Sequence, residues 1–317
     1  MIIKIPYRIN WAGAYLDCIH EPVITSIINK YITAEVEKIS DDFIIVYSEE
    51  LNESYRAYFC PRIKKLDFNQ WTDYVDGCIA VFSRNDIRIT QGCQIKVSND
   101  LPSGIGVSSS AAFIIAIIKS ICVVNRIELD DSVIAGWGYW VEHDYLGIPC
   151  GRMDFKAVLH GPGIWKVNTD TCNLAADKLL SKDEYSGLLI YNETHNHSTD
   201  SKFTDNVAKI KGTKFNYSYD KATAKYISCE ESIVNCINYL EYKFDKQLLA
   251  SYLTSSDTNI KSWLDLPNCY LEYDGILGSK IVGSGLRGAH FLLINKEKEF
   301  EIRQELSDKY KVESVEI

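Results

Sequence analysis

Apolar and polar positions alternate, with β-branched residues among the apolar ones, over residues 2–7, 31–38 and 43–47, so the chain is expected to open with strands. The period then changes. Trp71, Tyr74, Val75, Cys78, Ile79 and Phe82 recur at helical spacing and mark one face of an amphipathic helix. A strand at 94–97 leads through Asn99 and Pro102 into a small-residue stretch at 103–110 and then into the apolar run 111–124, which reads as strand, loop and buried helix. A second helix is expected over 131–145, broken by Gly147 and Pro149, with residues 150–154 opening a further helical turn. Residues 170–184 are polar and mixed, which puts a lobe boundary near 182. Beyond it a strand is expected at 188–191, helices over about 222–264, and a glycine turn leading into a strand over 280–294. Strands and helices fall in separate runs, with no repeat or low-complexity segment, so the fold class is α+β, with lobes at 1–182 and 183–317.

Composition narrows the function. Hydrophobic residues make up 46% and charged residues 24% of 317, the profile of a globular chain that buries a core. A formal net charge of -9 argues against a nucleic-acid partner, which needs a basic surface, and leaves a small molecule as the expected ligand. No apolar run reaches the roughly 20 residues of a membrane span and the first residues lack a signal peptide's pattern, so a cytoplasmic location without a membrane partner is expected. Ten cysteines lie scattered from Cys18 to Cys269 without a CxxC pair and read as reduced, mostly buried thiols. Nothing in the pattern reports an oligomeric state.

The stretch with Ser103, Gly104, Gly106, Ser108, Ser109 and Ser110 has the chemistry of a phosphate cradle, because small residues let backbone N–H groups approach anions where a helix begins. It lacks the GK[ST] ending of a P-loop, and an ordinary turn before a core helix would have the same spacing. Glu193, His195 and His197 invite a metal reading, but i, i+2 spacing alone does not make a zinc site. Trp137, Trp140 and Tyr145 read as core aromatics.

Five segments together resemble the GHMP kinase superfamily, nearest its galactokinase branch. The stretch from Pro102 to Ala112 is similar to the motif PxxxGLxSSAA. Arg8, Asn10, Gly13 and Asp17 match GRxNxxGEHTDY, with Ala14 and Tyr15 where that signature has Glu-His. The run from Val141 to Asp154 resembles AEHxFxGxPCGxMDQ, and Trp71, Tyr74, Val75 and Gly77 resemble WxNYVxG. Lys280, Gly283, Gly285 and Gly288 resemble KxTGxGxGGC, from which Arg287 departs.

The resemblance implies a lobe like ribosomal protein S5 domain 2, then a ferredoxin-like lobe, with the site between them. It implies ATP and Mg²⁺, the phosphates in the glycine-serine loop and the ion held by Ser110 and Glu142, although Ser109 could also reach the ion. Asp154 would face the substrate hydroxyl and Arg8 would lie beside it, since a fixed cation favours a charged carboxylate and stabilises transition-state charge. Asp17 and Gly151 would contact a sugar; Ala14 would leave room for a different substituent, and Tyr15 would offer a ring face and a hydroxyl. Gly283, Gly285 and Arg287 would form the third glycine motif, Arg287 as a clamp for an anionic group or as an outward surface residue. The activity expected is phosphorylation of a monosaccharide hydroxyl, the anomeric one foremost. The alternatives are a silent sugar and ATP sensor, or a kinase of a heptose or another non-hexose substrate.

Overall fold

The long strand β2 (Val23–Ile39) organises the first half of the chain, a computed structural model of which describes residues 1–59, 70–170, 176–180, 186–192, 201–218, 220–239, 246–267, 271, 273–286 and 289–316. It pairs antiparallel with β1 (Ile2–Ala12), with β5 (Gly92–Asn99) and with β6 (Gly163–Val167). Beyond β5 come β3 (Phe43–Ser48), parallel to it, and β4 (Glu53–Tyr58); beyond β6 comes β7 (Ala176–Leu180). The strand order is β4-β3-β5-β2-β6-β7, with β1 on β2.

Helix α1 (Thr72–Arg84) packs against α2 (Ser109–Asn125), and α2 lies on β1 and β2. Helix α2 is apolar around most of its circumference, with Ile114, Ile115, Ile117 and Ile118 fully buried, and the face with Lys119 and Val123 reaches solvent. The expected helix over 131–145 divides. Helix α3 (Asp131–Tyr139) continues as one wider π turn, Trp140–Tyr145, before α4 (Met153–Ala157). Such single turns are frequent at functional sites.

The second half runs β8 (Ser186–Tyr191), α5 (Ser201–Lys214), α6 (Lys221–Tyr239), α7 (Lys246–Leu264), β9 (Ile276–Ile281), β10 (His290–Ile294), α8 (Glu299–Ser307) and β11 (Lys311–Glu316). Its antiparallel sheet has the order β11-β8-β10-β9, a ferredoxin-like arrangement enlarged by the helices before β9. Strand β7 lies inside the stretch read from sequence as merely polar and mixed; at a sheet edge a strand tolerates polar residues that blur its pattern.

The halves share a core. Trp11 of β1 meets Phe291 of β10 at 5.6 Å between ring centroids, and a second cluster joins Leu16 and Ile19 to Val207, Ile210, Tyr226 and Ile260. No described helix is long and apolar enough to cross a membrane. Among the described cysteines Cys18, Cys78, Cys93 and Cys122 are buried and free, whereas Cys236 is exposed. Trp137 and Tyr145 are buried, while Trp140 is half-buried beneath the Arg84 guanidinium.

Candidate active site

A cavity of about 660 Å³ opens between the halves, lined by parts of β1, the 103–110 loop, the π turn, α4 and the turn after β9. Arg8, buried on β1, holds its centre. Its Nε and Nη2 donate to Oδ1 of Asp154 at 2.9 and 2.6 Å, and its Nη1 donates to the carbonyl of Gly106 at 2.6 Å. The Arg8 backbone N–H also donates to the Val107 carbonyl at 3.2 Å. One side chain thereby fastens the carboxylate on α4 to the glycine-serine loop through charge-assisted bonds.

Asp17 lies in a buried 3-10 turn, Leu16–Ile19, against Gly151. A Cβ on residue 151 would stand 2.0 Å from Asp17 Oδ2, so only glycine fits there without moving the carboxylate. Burial, reinforced by the Asp154 charge and opposed by Arg8 and by the N–H groups of Met153 and Asp17, pushes the Asp17 carboxyl up to about 7. Glu142, on the π turn, is likewise pushed up to about 7 by burial, with the Asp154 charge adding to it. Hydrogen bonds to Ser110, Tyr74 and Cys150 act in the opposite direction. The pairing with Ser110 separates the two serines, since Ser109 Oγ accepts from the Gly104 N–H at 3.4 Å.

The loop itself has spare donors. The Ser108 hydroxyl is buried and without a partner among the described residues, and the N-terminus of α2 has no side-chain cap. Ser103 behaves differently: its N–H and hydroxyl both go to Glu50, at 2.8 and 2.6 Å, so the expectation of a phosphate donor meets a residue already engaged. Gly106 and Gly283 pack backbone to backbone, a Cβ on Gly283 falling 2.7 Å from the Gly106 Cα; both have positive φ, 95° and 66°. Gly285, also at positive φ, faces Leu264 and Ile260. Arg287, Glu193, His195 and His197 lie outside the described residues.

Tyr15 is held by both its hydroxyl and its ring. Its hydroxyl donates to the Ser284 carbonyl at 2.9 Å and accepts from Asn206 Nδ2 at 3.4 Å, and its ring packs between Phe203 and Trp263. It lines the cavity as an anchored wall. Ala14 lines the same end.

Residues 73–162 match the family model described as GHMP kinases N terminal domain. A galactokinase of Thermotoga petrophila is 26% identical over 98% of this chain and 94% of its own length. The structure of Lactococcus lactis galactokinase complexed with galactose superposes with a TM-score of 0.84 at 17% identity, covering 99% of this chain and 92% of that one. Methanococcus jannaschii mevalonate kinase gives a TM-score of 0.77 at 19% identity, covering 100% and 98%. Over residues 73–162 the chain thus resembles GHMP kinases, and along nearly its whole length it resembles galactokinases. These likenesses support a sugar or related kinase.

The other end of the cavity is aromatic. Trp71, capping α1, and Tyr74 of α1 stand edge to face with Phe113 of α2 at 6.3 and 6.4 Å, and Trp71 Nε1 donates to Glu53 at 2.7 Å. Aromatics at i, i+3 look the same whether they wall a ligand or face a core, and Phe113 is hidden in an apolar run. The donor set fits a nucleotide and its metal ion: an uncapped helix start and an orphaned buried hydroxyl suit phosphates, and the oxygens of Ser110 and Glu142 suit a hard divalent cation.

Proposed function

We propose that the chain is an ATP-dependent kinase that phosphorylates a monosaccharide, at its anomeric hydroxyl, to give a sugar 1-phosphate and ADP. The observation that carries this reading is the Arg8–Asp154 unit, which sits between the glycine-serine loop and the Asp17 pocket and is bonded to that loop through Gly106. A protein that only sensed the ligands would need the flanking binding groups but no fixed carboxylate between them.

In this reading the phosphates of ATP lie along residues 104–108 at the start of α2, where backbone N–H groups and the helix dipole favour anions, and the base lies toward Trp71, Tyr74 and Phe113. Ser110 and Glu142 would hold Mg²⁺, which when bound neutralises charge on the β- and γ-phosphates. Asp17 takes a hydrogen bond from a sugar hydroxyl, and Gly151 leaves room for the ring. The attacking hydroxyl oxygen bonds to the γ-phosphorus while the bond to the β-phosphate oxygen breaks. Its proton passes to the Asp154 carboxylate, and ADP leaves. Arg8 keeps that carboxylate from rotating and lies near the charge that develops on the transferring group.

D-Galactose is not the best substrate in this reading. Ala14 stands where the galactokinase signature has glutamate and accepts no hydroxyl hydrogen bond with its side chain, and the Tyr15 hydroxyl is already taken. The test is ADP release with Mg-ATP over a panel of hexoses, pentoses, heptoses, amino sugars and uronic acids. Turnover with one class above galactose is the expected result. Galactose leading the panel overturns the substrate assignment, and sugar binding without any ADP release points instead to the silent sensor.

A further inference from the structure

Residues 13–17 form the turn that brings Ala14 and Asp17 to the cavity, and they belong to the first half of the chain, yet helix α6 of the second half grips them. Tyr226 and Glu230 lie one helical turn apart on α6, where side chains at i and i+4 share a face. The Tyr226 hydroxyl donates to the Ala14 carbonyl at 2.6 Å, and the Gly13 N–H donates to Glu230 Oε2 at 2.6 Å. Both outward polar groups at the start of the turn are therefore held by one helix.

The grip is itself braced. Glu230 is fully buried, and its carboxylate also accepts from Asn259 Nδ2 at 2.8 Å and from the Ser256 hydroxyl at 2.9 Å. Ser256 Oγ in turn accepts from the buried Lys280 Nζ at 2.8 Å, and Asn259 reaches the Tyr226 carbonyl at 3.2 Å. The Tyr226 ring stacks on Trp263 at 4.5 Å. A buried carboxylate is a poor way to gain stability alone, because desolvation opposes it, so its retention at this contact asks for a positional reason. The turn supplies one. Tyr15 has φ 66°, a left-handed backbone that a bulky residue adopts only where its surroundings impose it.

We propose that Glu230 and Tyr226 are positioning residues that set the sugar-binding turn, and with it Asp17, against Asp154 from the opposite half of the molecule. What the turn binds rests on the sugar-kinase reading; the grip does not. The sugar end of the site is complete only when α6 is docked.

Tyr226→Phe tests this with little risk to folding, since the ring and its stacking on Trp263 remain; Glu230→Gln is the companion, keeping shape and an acceptor for Gly13. Hydrogen exchange of the full chain with Mg-ATP is read on a peptide covering residues 13–19. Exchange there should quicken on the order of tenfold in Tyr226→Phe, as expected for loss of one buried hydrogen bond, while α6 and α7 stay as protected as in the parent. For the sugar with the highest kcat/KM in the panel, KM should rise by a similar factor with KM for ATP unchanged. Glu230→Gln should lie between parent and Tyr226→Phe on both readouts. Unchanged exchange at 13–19, or equal quickening throughout the second half, overturns the proposal, because a merely structural role gives one of those two results. If the parent phosphorylates no sugar, the kinase reading falls and the exchange data alone decide the positioning role.

Discussion

The two Arg8 nitrogens that reach Asp154 converge on a single oxygen, Oδ1, and among the described residues Oδ2 takes no hydrogen bond. The carboxylate is thus held by one atom, and in the proposed reading the other is left for the substrate proton.

Replacing Asp154 by Asn keeps an oxygen that Arg8 can bind, so fold and ATP affinity should persist while the proton acceptor is lost. Turnover should fall by roughly two orders of magnitude or more. Steady-state kcat together with an ATP titration checks this, and a variant with near-parent kcat would remove Asp154 from the reaction.

Gly151→Ala should injure the sugar end selectively, because the new Cβ would fall 2.0 Å from Asp17 Oδ2 and must displace it. Displacement of a binding group by about 1 Å can cost on the order of a hundredfold, so kcat/KM for the sugar should drop by up to that factor while ATP binding holds. An equal loss for both substrates would contradict the separation of the two ends.

Asp17 predicts a pH dependence of stability. Its folded carboxyl titrates near 7 against an ordinary 3.8, so between those values the native state binds the proton more tightly than the unfolded chain. Its contribution is therefore most favourable below about pH 4, declines as pH rises to 7, and is level above that, a swing on the order of a few kcal/mol. Asp17→Asn should show a shallower slope than the parent, the remainder coming from Glu142, and melt higher than the parent at pH 8, measured by thermal denaturation in ligand-free buffer across pH 5 to 8. A parent whose melting temperature rises over that range by a slope the variant shares would refute it.

Glu142→Gln removes a charged oxygen beside Ser110 and should shift the Mg²⁺ requirement upward as well as slow turnover. Activity against Mg²⁺ concentration is the measurement; superimposable curves for parent and variant would exclude Glu142 as an ion ligand.

Local signals served where one residue type was forced by one environment. The period of α1, the apolar run of α2 and the small residues of the 103–110 loop were all readable, because burial or close approach dictated them. Strand β11 was not, since only Val312 and Val315 of its six residues are buried apolar side chains, and β4, at a sheet edge, offers little more. The helix over 131–145 was foreseen but not its widening at Trp140, which no local spacing marks. Motif spacing singled out Asp17, Glu142 and Asp154, and the structure brings all three to one cavity, whereas the anchoring of the Tyr15 hydroxyl on Ser284, 269 residues away, leaves no local trace. Glu230 and Tyr226 carry no local mark either, one reading as a helix-surface carboxylate until α7 and β9 enclose it.

Gly106 and Gly283 meet backbone to backbone across the two halves of the molecule. With no side chain at either contact, neither loop has a soft element that could absorb a change in the other, and each glycine already has a φ that other residues resist. Sequence drift at this pair has no intermediate: a methyl group at one position meets main chain, which a compensating substitution at the other cannot remove. In a saturation library both positions would therefore admit glycine alone, and their intolerance would be independent rather than correlated, making the pair invisible to covariation although the two residues touch.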